Sequence, residues 1–556
     1  MCGVRFLCLL IFALVAAPVA LAAPKPSRVA TLSIIGTSDL HGHIAALPWL
    51  AGYLANLRAV REPGGVVLLD AGDMVHGTLE SNLGEGAPVI RVYNGLGYAA
   101  VALGNHEFDF GPVGPKTTPE TAGDDPRGAL KARASEARFP FLAVNVLDQA
   151  TGKPVAWPNF RPSTIVEAAS VRVGIIGAAT PSTPRASLPA NLAGLTFVAP
   201  APAIAAEARK LRRQGAEVVI AVVHEGGACT RFADPDKLDS CDVRSEIFAI
   251  ARALPRRAVD AIVAGHTHQG LAHRVAGIPI IQAYANGRAF GRVDLKLDRR
   301  SGKVVGSVLH APRDLCPGRA PEHCQPPPYE GQPVRMDVDA ARLNAIAFAH
   351  ARKKSDERLG VEVLRPLPRS RGQETALGNL LADLVRAAMP KSDVAMINSG
   401  SIRAALPAGQ LTFGRFYQAF PFDNASAFAH IPAGELRGLW ARSLGRSGSL
   451  ISLSGVRLFA RCQDGALQVT LTRPDGSSIA DDETLALVTT DFLATGGDGF
   501  FGGSSAAFAI GGLLRDGMVE ALRARGKTLD PADRTLFDPG RPRLDLPGRP
   551  PLTCGP

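Results

Sequence analysis

Five short polar segments in the first half of the chain carry side chains that can bind metal ions. Each one follows an apolar, β-branched run typical of a buried strand. The segments are Asp39-Leu40-His41, Gly72-Asp73, Gly104-Asn105-His106-Glu107, Val223-His224-Glu225 and Gly265-His266-Thr267-His268. Their carboxylate, amide and imidazole donors, without thiolate, suit Zn, Mn, Co, Fe or Mg rather than a soft Cu(I) or iron-sulfur site.

The apolar runs predict the strands that must position these segments. They occupy residues 30–35, 65–69, 99–103, 216–222 and 259–264. Helical patterns at residues 203–214 and 245–254 lie between strands, which favours an α/β fold with crossover connections. Ligands in such sheets gather beyond the carboxyl ends of the strands. We therefore expect the five segments to lie along one edge of one sheet.

The number of donors indicates more than one ion. The donors are Asp39, His41, Asp73, Asn105, His224, His266 and His268. They exceed what one tetrahedral ion needs, whereas two ions about 3.5 to 4 Å apart, bridged by a carboxylate, would use all of them. We assign Asp39, His41 and His268 to the first ion and Asn105, His224 and His266 to the second. Asp73 is assigned to both, and we expect both of its carboxylate oxygens to be free.

Three further histidines are not assigned as ligands. His106 lies beside Asn105 and three residues before Asp109, so a turn can hold its imidazole against that carboxylate. An imidazole held in this way can stabilise or protonate a leaving oxygen. For His43 and His76 we expect only loop polarity or contact with a ligating residue.

Loops of the second half carry groups suited to a flat ligand. Asn398 and Arg403 follow the apolar run at residues 394–397. The stretches Phe420-Pro421-Phe422-Asp423-Asn424 and Asp491-Phe492-Leu493-Ala494-Thr495-Gly496-Gly497-Asp498 place aromatic rings near acids or amides. Two rings on such loops can clamp a base between their faces, Asp498 can accept hydrogen bonds from ribose hydroxyls, and Asn424 can contact the base edge.

These strings resemble the calcineurin-like metallophosphoesterases, in particular their 5'-nucleotidase branch, which includes periplasmic UDP-sugar hydrolases. The resemblance implies an N-terminal metallophosphoesterase β-sandwich flanked by helices, a helical linker and a C-terminal α+β substrate-binding domain. It also implies that His106 and Asp109 act as a dyad and that Phe422 and Phe492 stack the nucleobase. Arg403 matches a phosphate-binding arginine of the family. For a second, upstream phosphate-binding arginine we choose Arg371, with Arg369 as the alternative.

The function implied by the resemblance is two-metal hydrolysis of nucleoside 5'-monophosphates to nucleoside and phosphate, as in nucleotide scavenging. Two alternatives within the same class share these motifs: a 2',3'-cyclic-nucleotide 2'-phosphodiesterase/3'-nucleotidase and a UDP-sugar diphosphatase. From another class, a catalytically silent nucleotide-binding or surface adhesion protein also stays open.

With 556 residues, the chain exceeds one hydrophobic core and is expected to form two large domains. Residues 1–22 read as a signal peptide, with an uncleaved anchor as the alternative. We predict a metallophosphoesterase domain at 30–335, a linker helix at 336–358, a substrate-binding domain at 360–540 and a tail at 541–556. The Pro-rich stretch at 326–328 marks the boundary before the linker.

Cysteine usage and charge indicate the compartment and the partners. Removing the signal leaves six cysteines, and pairing nearest neighbours predicts Cys229–Cys241, Cys316–Cys324 and Cys462–Cys554, with free buried thiols as the alternative. The chain is therefore expected to be exported, to the periplasm or outside the cell. Its net charge of +10 favours anionic partners. Without a basic, aromatic-interleaved run, we expect a nucleotide rather than nucleic acid, and no membrane insertion after signal cleavage.

Overall fold

The structure is a computed structural model that describes residues 28–446, 449–526 and 528–554. The predicted signal peptide at 1–22 lies outside the described residues. We call the part before residue 338 the N-terminal half and the part after residue 355 the C-terminal half. Among the helices that the structure describes, none is long and apolar enough to cross a membrane.

The N-terminal half alternates strands and helices. Its strands are, in chain order, β1 (Val29–Thr37), β2 (Val66–Asp70), β3 (Ala100–Ala102), β4 (Phe141–Leu142), β5 (Val146–Asp148), β6 (Phe160–Arg161), β7 (Ser163–Ala168), β8 (Val171–Ala178), β9 (Leu195–Phe197), β10 (Val218–Val223), β11 (Ala261–Ala264), β12 (Gly270–Val275), β13 (Ile278–Ala283), β14 (Ala289–Asp298) and β15 (Val304–Asp314). Its helices are α1 (Leu47–Val60), α2 (Leu79–Asn82), α3 (Ala87–Leu96), α4 (Gly128–Glu136), α5 (Thr183–Ala186), α6 (Pro200–Arg213) and α7 (Glu246–Ala253).

Two sheets pack face to face in this half. One has the strand order β15-β14-β1-β2-β3-β4-β6 and the other β12-β13-β11-β10-β8-β7. Apolar side chains of both sheets, such as Ile34 and Val263, form the buried layer between them. This is the α/β sandwich that the resemblance implies. Outside the sandwich, α1 buries Leu50, Leu54 and Leu57 at helical spacing against the first sheet.

The expectation of one common sheet edge is wrong. The donors at Asp39, Asp73 and Asn105 follow β1, β2 and β3 of the first sheet, whereas His224 and His266 follow β10 and β11 of the second. Within each sheet these strands are parallel. The sandwich aligns the carboxyl ends of both parallel sets, so the donors still meet although they belong to different sheets. An apolar run identifies a strand but not the sheet that it joins.

A helix and a second α/β unit follow. The connecting helix is α8 (Val338–Ser355), within the predicted linker at 336–358, and the Asp337 side chain caps it by accepting from the N–H of Ala340. The remaining strands are β16 (Arg358–Val363), β17 (Val394–Asn398), β18 (Gly409–Thr412), β19 (Ala425–Pro432), β20 (Ile451–Ser454), β21 (Arg457–Gln463), β22 (Ala466–Thr472), β23 (Thr484–Thr490), β24 (Ala509–Leu513), β25 (Thr528–Leu529) and β26 (Leu544–Asp545). The remaining helices are α9 (Ala376–Ala388), α10 (Phe413–Ala419), α11 (Ala433–Arg446), α12 (Asp491–Ala494) and α13 (Leu514–Arg525).

The C-terminal half is built on a mixed sheet with the order β20-β17-β23-β19-β24. Helix α9 lies against it, and its buried face includes Leu377, Leu381 and Leu384. This is the α+β unit that the resemblance implies. Loops after β17 and β23 and before β19 lead to the residues discussed below.

Within the part of the chain that the structure describes, three disulfides close loops. They are Cys229–Cys241, Cys316–Cys324 and Cys462–Cys554, the pairs that nearest-neighbour pairing predicts. The prediction of disulfides is therefore confirmed. The first of them closes the loop that follows His224, and the last one fixes the C-terminal tail onto β21.

Candidate functional site

The first cluster of donors combines Asp39 and His41 after β1 with His268 after β11. The Nε2 atoms of His41 and His268 lie 3.0 Å apart. His268 Nε2 also lies 3.6 Å from Asp39 Oδ1. The three donors predicted for the first ion therefore converge on one point.

The second cluster combines Asp73, Asn105, His224 and His266. His224 Nε2 lies 3.1 Å from Asp73 Oδ2, 3.1 Å from Asn105 Oδ1 and 3.2 Å from His266 Nδ1. Asp73 Oδ2 also lies 3.9 Å from His41 Nε2, so this oxygen faces both clusters. The structure thus brings together the donors predicted for the second ion.

Asp73 differs from expectation in one respect. We expected both of its carboxylate oxygens to be free, but Oδ1 accepts a hydrogen bond of 2.8 Å from the backbone N–H of His106. The strand-end turn at Asn105 places that N–H against the carboxylate. Only Oδ2 is left to face both donor clusters, so a bridge through Asp73 would use a single oxygen.

Backbone carbonyls fix the tautomers of two of these histidines. His41 Nδ1 lies 3.0 Å from the carbonyl oxygen of His76, and His224 Nδ1 lies 2.7 Å from that of Ala71. A carbonyl can only accept, so each Nδ1 carries the proton. Nε2 is then the nitrogen of each ring that faces its cluster and that would ligate an ion.

Most of these donors stand on strained backbone. Asp39, His41, Asp73, His266 and His268 all have φ between 49° and 73°. This left-handed region costs a residue other than glycine on the order of 1 to 3 kcal/mol. Backbone hydrogen bonds hold the strain in place, since the N–H groups of Asp39 and His41 donate to the carbonyls of Gly72 and Asp73, both at 2.9 Å.

The donor set fits divalent cations. Burial lowers the pKa of His41 and His268, so both imidazoles are neutral, and their Nε2 atoms lie 3.0 Å apart. Burial also raises the pKa of Asp39 to about 7. A cation among these atoms would favour the ionised carboxylate of Asp39, and donors about 2.0 to 2.2 Å from a common ion lie about 3 Å from one another. Neutral imidazole with carboxylate and amide oxygen is a borderline-to-hard set.

Glu107 organises the two turns that carry Asp73 and Asn105. Its buried carboxylate accepts from the backbone N–H groups of Asp73, Met74 and Gly104 at 2.9, 2.7 and 2.7 Å. Glu107 stands in one of the five polar segments, but the role of its carboxylate was not predicted from the sequence. A carboxylate two residues after the donor Asn105, in the same strand-end segment, was the available signal.

His106 and Asp109 form a close pair. A short helical turn over His106–Phe108 brings His106 Nδ1 to 2.6 Å from Asp109 Oδ2. Burial alone lowers the pKa of His106, but the carboxylates of Asp109 and Asp73 outweigh it and raise that pKa. The imidazolium form, which can donate a proton from Nε2, is therefore favoured beside the donor clusters.

The predicted arginines reach this site from the C-terminal half. Arg403 Nη2 lies 3.0 Å from His41 Nε2. Burial, followed by the charge of Arg371, lowers the pKa of Arg403 to about 10, so it stays charged at neutral pH. Arg371 lines the same cavity, whereas Arg369 Nη1 donates to the carbonyl of Ile402 at 3.0 Å.

One cavity joins the two halves. Its volume is about 820 Å³. Among the residues that line it are Asp73, Asn105, His106, Asp109, His266, His268, Arg371, Asn398, Arg403, Phe422, Asn424, Phe492 and Asp498. Asn398 donates to Asp498 at 2.7 Å, and Asn424 donates to Asp491 at 2.8 Å. The remaining predicted donors, Asp39, His41 and His224, lie directly behind this lining.

Other residues of the cavity were not singled out from the sequence. Ser182 and Arg185 of the α5 region and Glu225 and Glu246 near the second cluster line its wall. Glu225 directly follows His224, which was the available signal. His76 also lines the cavity, whereas His43 borders a separate cavity beside residues 286–288.

Comparisons with known proteins agree with this arrangement. Residues 32–270 match the family Calcineurin-like phosphoesterase, and residues 354–503 match the family 5'-nucleotidase, C-terminal domain. The chain is 26% identical to the 5'-nucleotidase of Vibrio cholerae, over 84% of this chain and 85% of that protein. It is also 26% identical to the endonuclease YhcR of Bacillus subtilis over 84% of this chain, but it spans only 35% of that longer protein. The crystal structure of a 5'-nucleotidase precursor from Thermus thermophilus superposes with a TM-score of 0.72 at 23% identity, covering 93% of this chain and 99% of that one.

Proposed function

The chain belongs to the calcineurin-like phosphoesterases that carry a 5'-nucleotidase C-terminal domain, and we propose that it hydrolyses nucleoside 5'-monophosphates to nucleoside and phosphate. The observation that carries the proposal is the contact between Arg403 and His41, at 3.0 Å across the two halves. It puts a phosphate-binding cation from the nucleotide-binding half directly on the metal-binding half.

Two divalent cations would be held by the two donor clusters. Asp39, His41 and His268 would bind one, and Asn105, His224 and His266 the other, with Asp73 Oδ2 between them. Bound there, the cations would activate water and offset negative charge on the phosphoryl oxygens. Ligand type alone leaves Zn, Mn, Co or Mg open.

Phosphate binding falls to the arginines. The charged Arg403 guanidinium points at the metal edge, and its fork of donors suits phosphate oxygens. Arg371 lines the cavity beside it and lowers its pKa, which places two positive charges near one point. A phosphate dianion between them compensates both charges, and this supports Arg371 over Arg369 as the second phosphate ligand.

Proton donation falls to His106. Hydrolysis breaks the bond between phosphorus and ribose O5', and water supplies the oxygen that phosphorus gains. The alkoxide leaving group is a poor one unless it is protonated as it departs. His106, whose pKa the carboxylates of Asp109 and Asp73 raise, would donate that proton from Nε2.

The nucleoside end is recognised by the C-terminal half. Phe422 and Phe492 offer ring faces to the base, and the tip of the Phe492 ring packs over Gly497, where a Cβ atom would meet it at 2.5 Å. Asp498, already held by Asn398, accepts from the ribose hydroxyls. Asn424 has its amide nitrogen on Asp491, which leaves its carbonyl oxygen for the base edge.

The compartment is proposed to be outside the cytoplasm, in the periplasm or secreted. Three disulfides in the described residues support an oxidising environment. An exported nucleotidase would release nucleoside and phosphate from external nucleotides, which is a scavenging role.

A substrate panel tests the proposal. Metal-stripped protein, reloaded with Mn²⁺ or Zn²⁺, should release phosphate from AMP faster than it hydrolyses 3'-AMP, 2',3'-cyclic AMP or UDP-glucose. Preference for 2',3'-cyclic AMP or for UDP-glucose would instead identify one of the two related activities. Absence of hydrolysis of all four substrates at every metal load would contradict the proposal and favour a silent binding protein.

A further inference from the structure

His76 is a buried histidine at the junction of the two halves to which the proposed reaction gives no role. It lies on the loop after β2, three residues beyond Asp73, and only 3% of its surface is exposed. Its ring lines the wall of the cavity. A buried polar ring at such a place needs partners, and each of its partners belongs to the site.

The first partner is the base-stacking ring Phe422. The rings of His76 and Phe422 are stacked, with centroids 5.0 Å apart and planes at 28°. Phe110 packs edge-on against His76, with ring centroids 5.3 Å apart. His76 thus supplies the N-terminal half of a ring stack that backs Phe422, and the His106 ring joins it with its centroid 5.6 Å from that of Phe422.

The second partner is the Asp109 carboxylate. His76 Nδ1 lies 3.3 Å from Asp109 Oδ2, the same oxygen that lies 2.6 Å from His106 Nδ1. The rings of His76 and His106 are nearly parallel, at 18°. Two imidazole nitrogens therefore lie against one carboxylate oxygen, and the His76 ring limits the space in which Asp109 can turn away from His106.

Hydrogen bonds tie down the segments on both sides of the contact between His76 and Phe422. The Arg515 guanidinium donates hydrogen bonds to the backbone carbonyls of Phe420 and Phe422. Asn82, at the end of α2, accepts from the backbone N–H of Gly77 beside His76 at 3.0 Å and donates to Tyr417 Oη at 2.8 Å. The segments that carry His76 and Phe422 are thereby held next to each other. A change in the His76 side chain therefore shifts Phe422, Asp109 or both.

We propose that His76 is a positioning residue that seats Phe422 and holds Asp109 against His106, so that base stacking and proton donation are set by one side chain. The proposal rests on the proposed nucleotidase function. It does not place His76 in contact with the substrate or with the cations.

Two substitutions separate the two contacts. His76→Phe keeps a ring for Phe422 but removes the polar contact with Asp109. His76→Asn keeps a polar group near the position of Nδ1 but removes the ring. His350→Phe, on the exposed face of α8, is a matched control for the loss of a histidine elsewhere.

Three substrates read out the two effects. AMP has a base and a poor leaving group, and ribose 5-phosphate has a similar sugar alkoxide leaving group without a base. The third substrate, p-nitrophenyl phosphate, releases p-nitrophenolate, which departs without needing a proton. His76→Phe should lower kcat about tenfold for AMP and for ribose 5-phosphate, which is less than the contribution of about 10²-fold or more that a general acid makes. The kcat for p-nitrophenyl phosphate should change by less than about twofold, because its leaving group needs no proton. His76→Asn should raise KM for AMP about tenfold and leave KM for ribose 5-phosphate unchanged, as expected for loss of a stacking contact of about 1 kcal/mol or somewhat more.

The results that overturn the proposal are distinct from those that overturn the proposed function. Unchanged kcat of His76→Phe on AMP, an equal loss on p-nitrophenyl phosphate, or loss of bound metal in either variant would each assign His76 a merely structural role. If the wild-type protein itself does not hydrolyse AMP, the proposed function fails before the variants are compared. Should one variant not fold, the other still tests its own contact.

Discussion

Gly104→Ala should disrupt the donor clusters although it changes no donor. A Cβ atom at this position would lie 2.3 Å from Asp73 N and Oδ1 and 2.6 Å from Glu107 Oε2. Ordinary contact begins at 3.4 Å, so Asp73 must move by about 1.1 Å. Metal sites tolerate shifts of about 0.2 Å in their ligand distances. We therefore expect metal affinity to fall by about 10- to 100-fold or more.

The stability of this variant should fall too, because overpacking a tight turn costs about 1 to 3 kcal/mol. Gly95→Ala is the matched control: it lies on the exposed side of α3 with nothing within 4 Å of its Cβ position. The control should leave metal affinity unchanged and stabilise the protein by about 0.4 to 1 kcal/mol.

Calorimetric titration of metal-stripped protein with Zn²⁺, together with urea unfolding of both variants, measures the two effects separately. The reasoning is refuted if Gly104→Ala binds metal as tightly as the wild type, since Asp73 would then have a role that tolerates a displacement of an ångström. Equal destabilisation of both glycine variants would also refute it, because the effect would then not come from the contact with Asp73.

Three further predictions address separate parts of the site and the fold. His106→Ala should lower kcat for AMP by about 10² to 10⁴ while bound metal, measured by elemental analysis, stays unchanged; loss of metal would make His106 a ligand instead. Phe422→Ala should raise KM for AMP while leaving kinetics with ribose 5-phosphate near wild type, and an equal effect on both substrates would argue against base stacking. Burial raises the pKa of Asp294, but hydrogen bonds led by His310 and Arg292 hold it well below its usual range. A carboxyl whose pKa is depressed in the folded state stabilises the protein at pH values above its unfolded pKa, so the unfolding free energy should fall as the pH drops below about 5. Urea unfolding of Asp294→Asn should show a weaker dependence of the unfolding free energy on pH, and an unchanged dependence would contradict this role of Asp294.

The position of the metal donors was predictable because local rules determine it. An apolar run that ends in Asp39 or His224 marks a strand terminus, and parallel strands place their termini together. The partition of the strands into two sheets was not predictable from these runs, because β1 and β10 have the same buried character and differ only in their neighbours. The resemblance, rather than the residues, implied the sandwich.

Roles that depend on contacts between distant segments were out of reach. His76 looked like a loop histidine because its partner Phe422 lies in the other half of the chain. The expectation that both oxygens of Asp73 are free was wrong because the backbone N–H of His106 donates to one of them, and the turn after β3 sets the direction of that N–H. Glu107 shows the same limit, since its three backbone partners become visible only once β2 and β3 are side by side. The predicted domain limits stay predictions.

The central claim is that metal donors of one half and nucleotide-binding groups of the other act on the same phosphate. Phosphate release from AMP, followed while metal-stripped protein is titrated with Mn²⁺, tests it most directly. The account predicts that activity rises with added metal and reaches its plateau at two equivalents, and that Asp73→Ala stays inactive throughout. Full activity of Asp73→Ala, or a protein that binds two equivalents and releases no phosphate from AMP, would contradict it.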